Sequence, residues 1–257
     1  SEAVSSLIVD NSGNLCLYGV TASTNFPSLP QSAYPNFNGG SSFGFYQNGI
    51  IFCGGSDIYI SKLNPSGSSL LATTFYGGSG NDGVNYLSGL YAVSLSPAAN
   101  ACQNTFLITP YDSLVMNYGD QFRGEIQVDK LNNIYIVSST RSSNIPIIGG
   151  FDNTINGEQD AIVAKFNTNL TNLLFSSFIG GSKNDCGNSI ALDNSNNIFV
   201  TGGTCSNDLL GTAGGHIPSF VGGKTDGFLY KINPTGSTIL NATYIGTTDY
   251  DNSFFVT

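Results

Sequence analysis

Two short patterns, each written three times without an internal gap, constrain this chain more than any other feature. One reads DIYISKLNPSGSSLLATTFYGGSGND (Asp57 to Asp82), DAIVAKFNTNLTNLLFSSFIGGSKND (Asp160 to Asp185) and DGFLYKINPTGSTILNATYIGTTDYD (Asp226 to Asp251). The other reads SSLIVDNSGNLCLYGVTAS (Ser5 to Ser23), GEIQVDKLNNIYIVSSTRS (Gly124 to Ser142) and NSIALDNSNNIFVTGGTCS (Asn188 to Ser206). They alternate strictly. Units of this length cannot bury an apolar face alone, so like units must pack on one another.

Each pattern predicts a hairpin. In the second, β-rich runs flank a polar loop opened by Asp10, Asp129 or Asp193, and the column of Gly13, Asn132 and Asn196 holds residues that tolerate positive φ. The loop also looks like a calcium loop, but Leu131 takes one oxygen position and no Glu follows at the required distance, so we read a turn. In the first pattern, Asn64-Pro65-Ser66-Gly67 and Asn233-Pro234-Thr235-Gly236 suit a type I turn, whereas Asn167-Thr168-Asn169-Leu170 has lost both Pro and Gly. Lys62, Lys165 and Lys231 recur before these turns and are read as solvating an edge or capping an Asp of the next unit. Gly77, Gly180 and Gly246 are expected to let neighbouring units approach closely. Asp82, Asp185 and Asp251 close each copy on one rim of the assembly; they read as caps of backbone N–H groups and are the candidate metal ligands, for calcium, if there is a metal site.

Two hairpins in alternation make four-stranded antiparallel units, and such sheets packed radially make a β-propeller, or an arc of one. The residues also carry a likeness. D-x-F-[VI]-x-K-[LI]-N-P-x-G followed by GGSxxD, then [IV]-x-[VL]-D-x-x-[GN]-N-[IV]-[YF]-[VL]-x-G-x-T-x-S, resembles the SBBP-type β-propeller repeat, whose tail T-x-S-x-x-[FI]-P is met at Thr21 to Pro27 and loosely at Thr140 to Pro146. The third copy, Thr204 to Leu209, lacks the Pro. The resemblance implies a large secreted or cell-surface bacterial protein, often of the Bacteroidota and exported by type 9 secretion. The chain is expected to be a single propeller segment over 1–257, part of a larger polypeptide, with insertions at 24–56 and 83–123. Counted as hairpins, it holds three blade equivalents, one of them split between the two ends of the chain.

The insertions are where partner binding is expected. Asn48-Gly49 between apolar runs predicts a protruding hairpin, and Leu90 to Leu95 and Thr105 to Thr109 are strand-like. Tyr34, Phe37, Phe43, Phe45, Tyr46, Tyr86, Tyr91 and Tyr111 make these segments aromatic; they serve either sugar and protein contact or small local cores, and Tyr46, Tyr91 and Tyr111 are the candidate binding residues. Asp112-Ser113-Leu114 fits the D-[ST]-hydrophobic O-glycosylation pattern at Ser113, and Asn169 and Asn241 open N-glycan sequons.

Composition narrows the function. Only 8 Lys and Arg stand against 17 Asp and Glu, which disfavours nucleic acid and anionic membranes, and no apolar run could span a bilayer. Five Cys without a C-x-x-C pair indicate neither zinc nor a disulfide framework. Cys186 and Cys205 flank one hairpin, but pairing Leu192 with Ile198 and Ile190 with Val200 sets Cys186 opposite Thr204, so buried free thiols are expected. The single His216 has no nucleophile partner, there is no Trp, and the acids recur by repeat, so neither catalytic residues nor a cofactor are expected. The reading is a non-catalytic module serving adhesion, display or protein–protein interaction, with surface proteins, glycans and the rest of its own polypeptide as partners. The alternatives are a calcium- or glycan-binding lectin-like module and the non-catalytic part of a glycan-active enzyme.

Overall fold

The computed structural model describes residues 1–45, 50–86, 106–108, 114–115 and 120–257, with 106 and 107 described by backbone alone. The chain is all-β. Strands β1 (Glu2–Val9), β2 (Leu15–Thr21), β5 (Asp57–Leu63) and β6 (Leu70–Tyr76) form sheet 1; β8 (Glu125–Val128), β9 (Ile134–Thr140), β10 (Asp160–Phe166) and β11 (Leu173–Ile179) form sheet 2; β12 (Asp185–Leu192), β13 (Ile198–Thr204), β14 (Asp226–Ile232) and β15 (Ile239–Ile245) form sheet 3. Every pairing in these three sheets is antiparallel. Each sheet joins one copy of the second pattern to the copy of the first that follows it, so no sheet is split between the ends. The expected split unit is corrected: β1 and β2 pair with β5 and β6 of their own sheet.

The turns form as their residues dictate. Asp10 Oδ1 accepts from the amides of Ser12 (2.8 Å) and Asn14 (2.9 Å), and Asp129 and Asp193 repeat this at Leu131, Asn133, Ser195 and Asn197. Gly13, Asn132 and Asn196 sit at φ of 82°, 62° and 60°. Lys62 does pair with an Asp, at 2.7 Å, but it is Asp10 of the preceding hairpin in the same sheet, and Lys165 likewise meets Asp129 at 3.4 Å. The expectation of an Asp in the next unit is corrected by the β2–β5 register, which sets Cys16 beside Lys62.

Leu170 takes the left-handed conformation (φ 55°) that Gly67 and Gly236 take in the other copies. Its side chain is fully buried between sheets 1 and 2, beside Phe166 and Tyr76. Leu170→Gly would relieve a backbone cost of about 1–2 kcal/mol but forfeit a buried Leu worth about 2–5 kcal/mol. A net loss of about 1–3 kcal/mol in urea unfolding is expected; unchanged stability would show that the Leu adds nothing to the core.

The sheets pack in series. Period-2 alternation sends Cys16, Tyr18, Ile58 and Ile60 of sheet 1 against Ile134, Ile136, Ile162 and Ala164 of sheet 2. The opposite face of sheet 2, with Tyr135, Val137, Val163 and Phe175, packs on Ile198, Val200, Phe228 and Tyr230 of sheet 3. The face toward the following sheet is called the front face below, and the opposite one the rear. The first strands of the three sheets, β1, β8 and β12, lie in contact along the chain order.

A fourth, three-stranded sheet comes from the insertions: β3 (Phe43–Phe45) pairs antiparallel with β4 (Ile51–Phe52) and parallel with β7 (Phe106–Ile108). The predicted hairpin thus exists at its base, where the Phe45 amide donates to the Ile50 carbonyl at 3.0 Å, while its Asn48-Gly49 tip lies outside the described residues. The runs 87–105 and 109–113 also lie outside them.

Two cysteine expectations change. Cys53, just after β4 of the inserted sheet, is disulfide-bonded, where no disulfide framework was expected. A bulge between Gly187 and Ser189 shifts the β12–β13 register, so Cys186 faces Gly203 and Asp185 faces Thr204. Leu192 and Ile190 pair with Ile198 and Val200 as expected, and Cys16, Cys186 and Cys205 keep their thiols, the first two buried as expected and Cys205 half-buried.

Candidate functional site

The recurring acids are placed by the strand ends. Asp57, Asp160 and Asp226 open β5, β10 and β14, and Asp185 opens β12. Asp82 and Asp185 are fully buried. Asp185 Oδ1 accepts from the Thr204 hydroxyl, while its Oδ2 accepts from Ser206 Oγ (2.9 Å) and the Gly181 amide (2.8 Å). Asp82 repeats this across the boundary between sheets, taking Thr140 Oγ1 on Oδ1 and Ser142 Oγ (2.7 Å) and the Gly78 amide (2.8 Å) on Oδ2. Asp251 instead is half-buried and, among the described residues, accepts from Thr247, through its amide (2.6 Å) and hydroxyl (2.8 Å). The T-x-S of the second pattern is thus the donor set for the closing Asp of the first.

The opening acids face the loops before them: Asp57 accepts from the Asn38 and Gly39 amides, Asp160 from those of Asn156 and Gly157, and Asp226 from that of Val221. A Cβ on Gly77 would lie 2.4 Å from Asp57 Oδ1, and one on Gly180 2.4 Å from Asp160 Cγ. These glycines therefore make room for their own unit's opening carboxylate, not for a neighbour's backbone as expected. Burial pushes Asp57, Asp160 and Asp185 up to about 7 and Asp82 to about 6, more than the donors around them can offset. No group of three or more His, Cys, Asp or Glu that could hold a metal ion occurs among the described residues.

The other sequence-singled residues scatter. Phe43, Phe45 and Tyr86 are buried in a local core with Val20, Phe52, Val84 and Ile108, where Phe43 stacks on Phe52 at 4.9 Å between centroids. Phe37 packs edge-on to Phe75, and Tyr34 lies against Tyr76. Tyr46, Tyr91, Tyr111 and Ser113 lie outside the described residues. His216, Asn169 and Asn241 are exposed on separate loops and strands.

A cavity of about 460 Å³ opens where β1, the start of β8 and the start of β12 converge. Its lining includes Ser5, Ser6, Phe122, Arg123, Glu125 and Phe255. Arg123 Nε donates to Asp120 at 2.8 Å, and its guanidinium lies 4.6 Å from the Phe254 ring centre and 5.5 Å from that of Phe255. Glu125 Oε2 accepts from the Ile190 amide (2.8 Å) and from Ser189 Oγ (2.5 Å), so both charged side chains are held in place. Fixed polar groups beside aromatic rings in a concavity of this size suit a small polar ligand. No motif marked these residues. The available signal was disagreement between copies at the start of the second pattern, where Ser5, Gly124 and Asn188 share no residue type and Glu125 stands in a column that is Ser in the other two copies, Ser6 and Ser189.

No helix of the described residues is long and apolar enough to cross a membrane. Comparison of the chain with protein-family models and with curated proteins gave no match.

Proposed function

We propose that the chain is a β-propeller module of a secreted bacterial surface protein that binds rather than transforms its partners. The sheets support the propeller reading, since three of them stack in sequence order with their first strands toward one another. The observation that carries the non-catalytic reading is the occupation of the acids: both oxygens of Asp82 and Asp185 are engaged by hydroxyls and amides of the repeat itself. A glycosidase needs two carboxylates free to act on opposite sides of one bond. The expected outcome of a hydrolase screen on glycans and peptides is no turnover, together with binding on arrays of extracellular proteins or glycans. Turnover lost on Asp82→Asn or Asp185→Asn, with the fold intact, would overturn the proposal.

A lectin-like reading is the second one, and the cavity at Arg123 and Glu125 favours it, because a guanidinium, a carboxylate and aromatic rings can share a sugar's hydroxyls and its apolar face. Under that reading Arg123→Ala abolishes glycan-array signal. Calorimetry with calcium tests whether a cation takes part.

A further inference from the structure

Several positions equivalent by repeat are buried at the two junctions inside the chain and exposed at its two outer faces, while Tyr59 and Phe75 on the rear of sheet 1 are buried beside Phe26 and Phe37. On the rear faces, Ile126 and Ile190 are 2% and 1% exposed, whereas Leu7, in the same column, is 54% exposed. Ile134, Ile136, Ile198 and Val200 are fully buried, yet their counterparts Leu15 and Leu17 are half-buried, and Val4 and Val9 beside them are exposed. The front faces show the converse. Tyr76 and Ile179 are buried, while Ile245 is 42% exposed, and Phe199 and Leu229 are half-buried where Tyr135 and Val163 are wholly covered. This is not the exposure of an ordinary outer position: Leu71, Leu174 and Leu240 share a column and are 45%, 44% and 50% exposed in all three copies.

We propose that a second copy of this chain docks head to tail, the rear face of its sheet 1 packing on the front face of sheet 3 of the first. The occupant follows from continuity, because the chain already makes this contact twice, each time rear face on front face, with the same apolar columns. An apolar patch on each of two different surfaces gives a heterologous contact, which can close into a ring. The carboxyl-terminal segment lies partly over the receiving face. The Ser253 amide donates to the Gly202 carbonyl at 3.3 Å, Asn188 Nδ2 to the Ser253 carbonyl at 2.9 Å, and the Val256 amide to Ser189 Oγ at 3.1 Å. The Asp251 amide bonds to the Thr225 carbonyl just as the Asp185 amide bonds to that of Gln159. The segment therefore stands where β12 begins at the preceding junction, and β1 of the incoming copy displaces it.

The test is the oligomeric state of the whole chain by sedimentation equilibrium. Association that grows with concentration is expected, and Leu7→Asp and Ile245→Asp should each weaken it at least ~tenfold by placing a charge in the contact. Both sites are exposed in the free chain, so both variants fold, which far-UV circular dichroism verifies. Leu240→Asp should leave association unchanged. Mixing the Leu7→Asp and Ile245→Asp chains should restore a dimer, since one keeps an intact front face and the other an intact rear face. Phe254→Ala with Phe255→Ala, which frees the covering segment from Arg123, should tighten association severalfold. A chain that stays monomeric at all concentrations overturns the proposal. So does a dimer broken by Leu7→Asp but not by Ile245→Asp, which would mean a rear-to-rear contact with a twofold axis.

Discussion

Replacing Asp185 by Ala is expected to lower the unfolding free energy by about 2–4 kcal/mol, which in a chain of this size moves the thermal midpoint down by about 5–15 °C. The substitution leaves the Thr204 and Ser206 hydroxyls and the Gly181 amide without their acceptor in a site with no water-exposed surface. An unsatisfied buried donor costs about 1–3 kcal/mol, and part of this is recovered because Thr204 Oγ1 can turn to the Ser206 carbonyl 3.3 Å away. Asp251→Ala is the internal control. The same column position there is half-buried and, among the described residues, takes its donors from Thr247, so a loss below about 1 kcal/mol is expected. Equal losses at the two positions, measured by thermal and urea unfolding, would mean that the hydroxyl pair adds nothing.

Stability is expected to peak in mild acid, near pH 4–5, and to fall toward neutrality. Asp57, Asp82, Asp160 and Asp185 carry pKa values raised from 3.8 to about 6 or 7, chiefly by burial. Between those values the folded chain binds protons that the unfolded chain does not, so their contribution is complete below about pH 4 and is lost as the pH climbs through 6 and 7. The turn acids act in the opposite sense. At Asp10 burial is outweighed by Lys62 and by the donors of Asn14 and Ser12, and the carboxyl is held at about 2. Asp129 is lowered despite its burial, by Asn133, Leu131 and Lys165, and Asp193 is lowered by Asn197 first of all. Their contribution is present above about pH 4 and disappears as the pH drops toward 2. A fall in thermal midpoint of about 5–10 °C between pH 5 and pH 8 is expected. A midpoint that rises steadily to pH 8 would show that the buried acids are ionised in the folded chain.

The hairpins, their turns and their grouping into four-stranded sheets were legible because each rests on local chemistry: alternation, an Asp at the turn's start, and Gly or Asn where φ turns positive. Leu170 was the exception, since a left-handed Leu persists only through burial that no local pattern displays. Which hairpin joins which was misread, because pairing β2 to β5 across an insertion depends on strand edges rather than on spacing. The acids were read as caps of backbone N–H groups, but the hydroxyls that also reach Asp82 and Asp185 were not foreseen. Thr140 and Ser142 lie 58 and 60 residues from Asp82, and only the packing of one sheet on the next brings them together. The cavity left no trace as a motif, because its residues come from the variable start of the second pattern, from the end of the 83–123 insertion (Phe122 and Arg123) and from the segment after the last repeat (Phe255).

The placement of the closing acid also bears on how such an array lengthens. The acceptor stands at the end of one copy of the first pattern, and its hydroxyl donors arrive with the next copy of the second. A duplicated stretch of gene that begins and ends anywhere within this period therefore carries one acid and one hydroxyl pair, and the new boundary finds its partner already encoded. Sheets could be gained or lost one at a time without any boundary having to be reinvented.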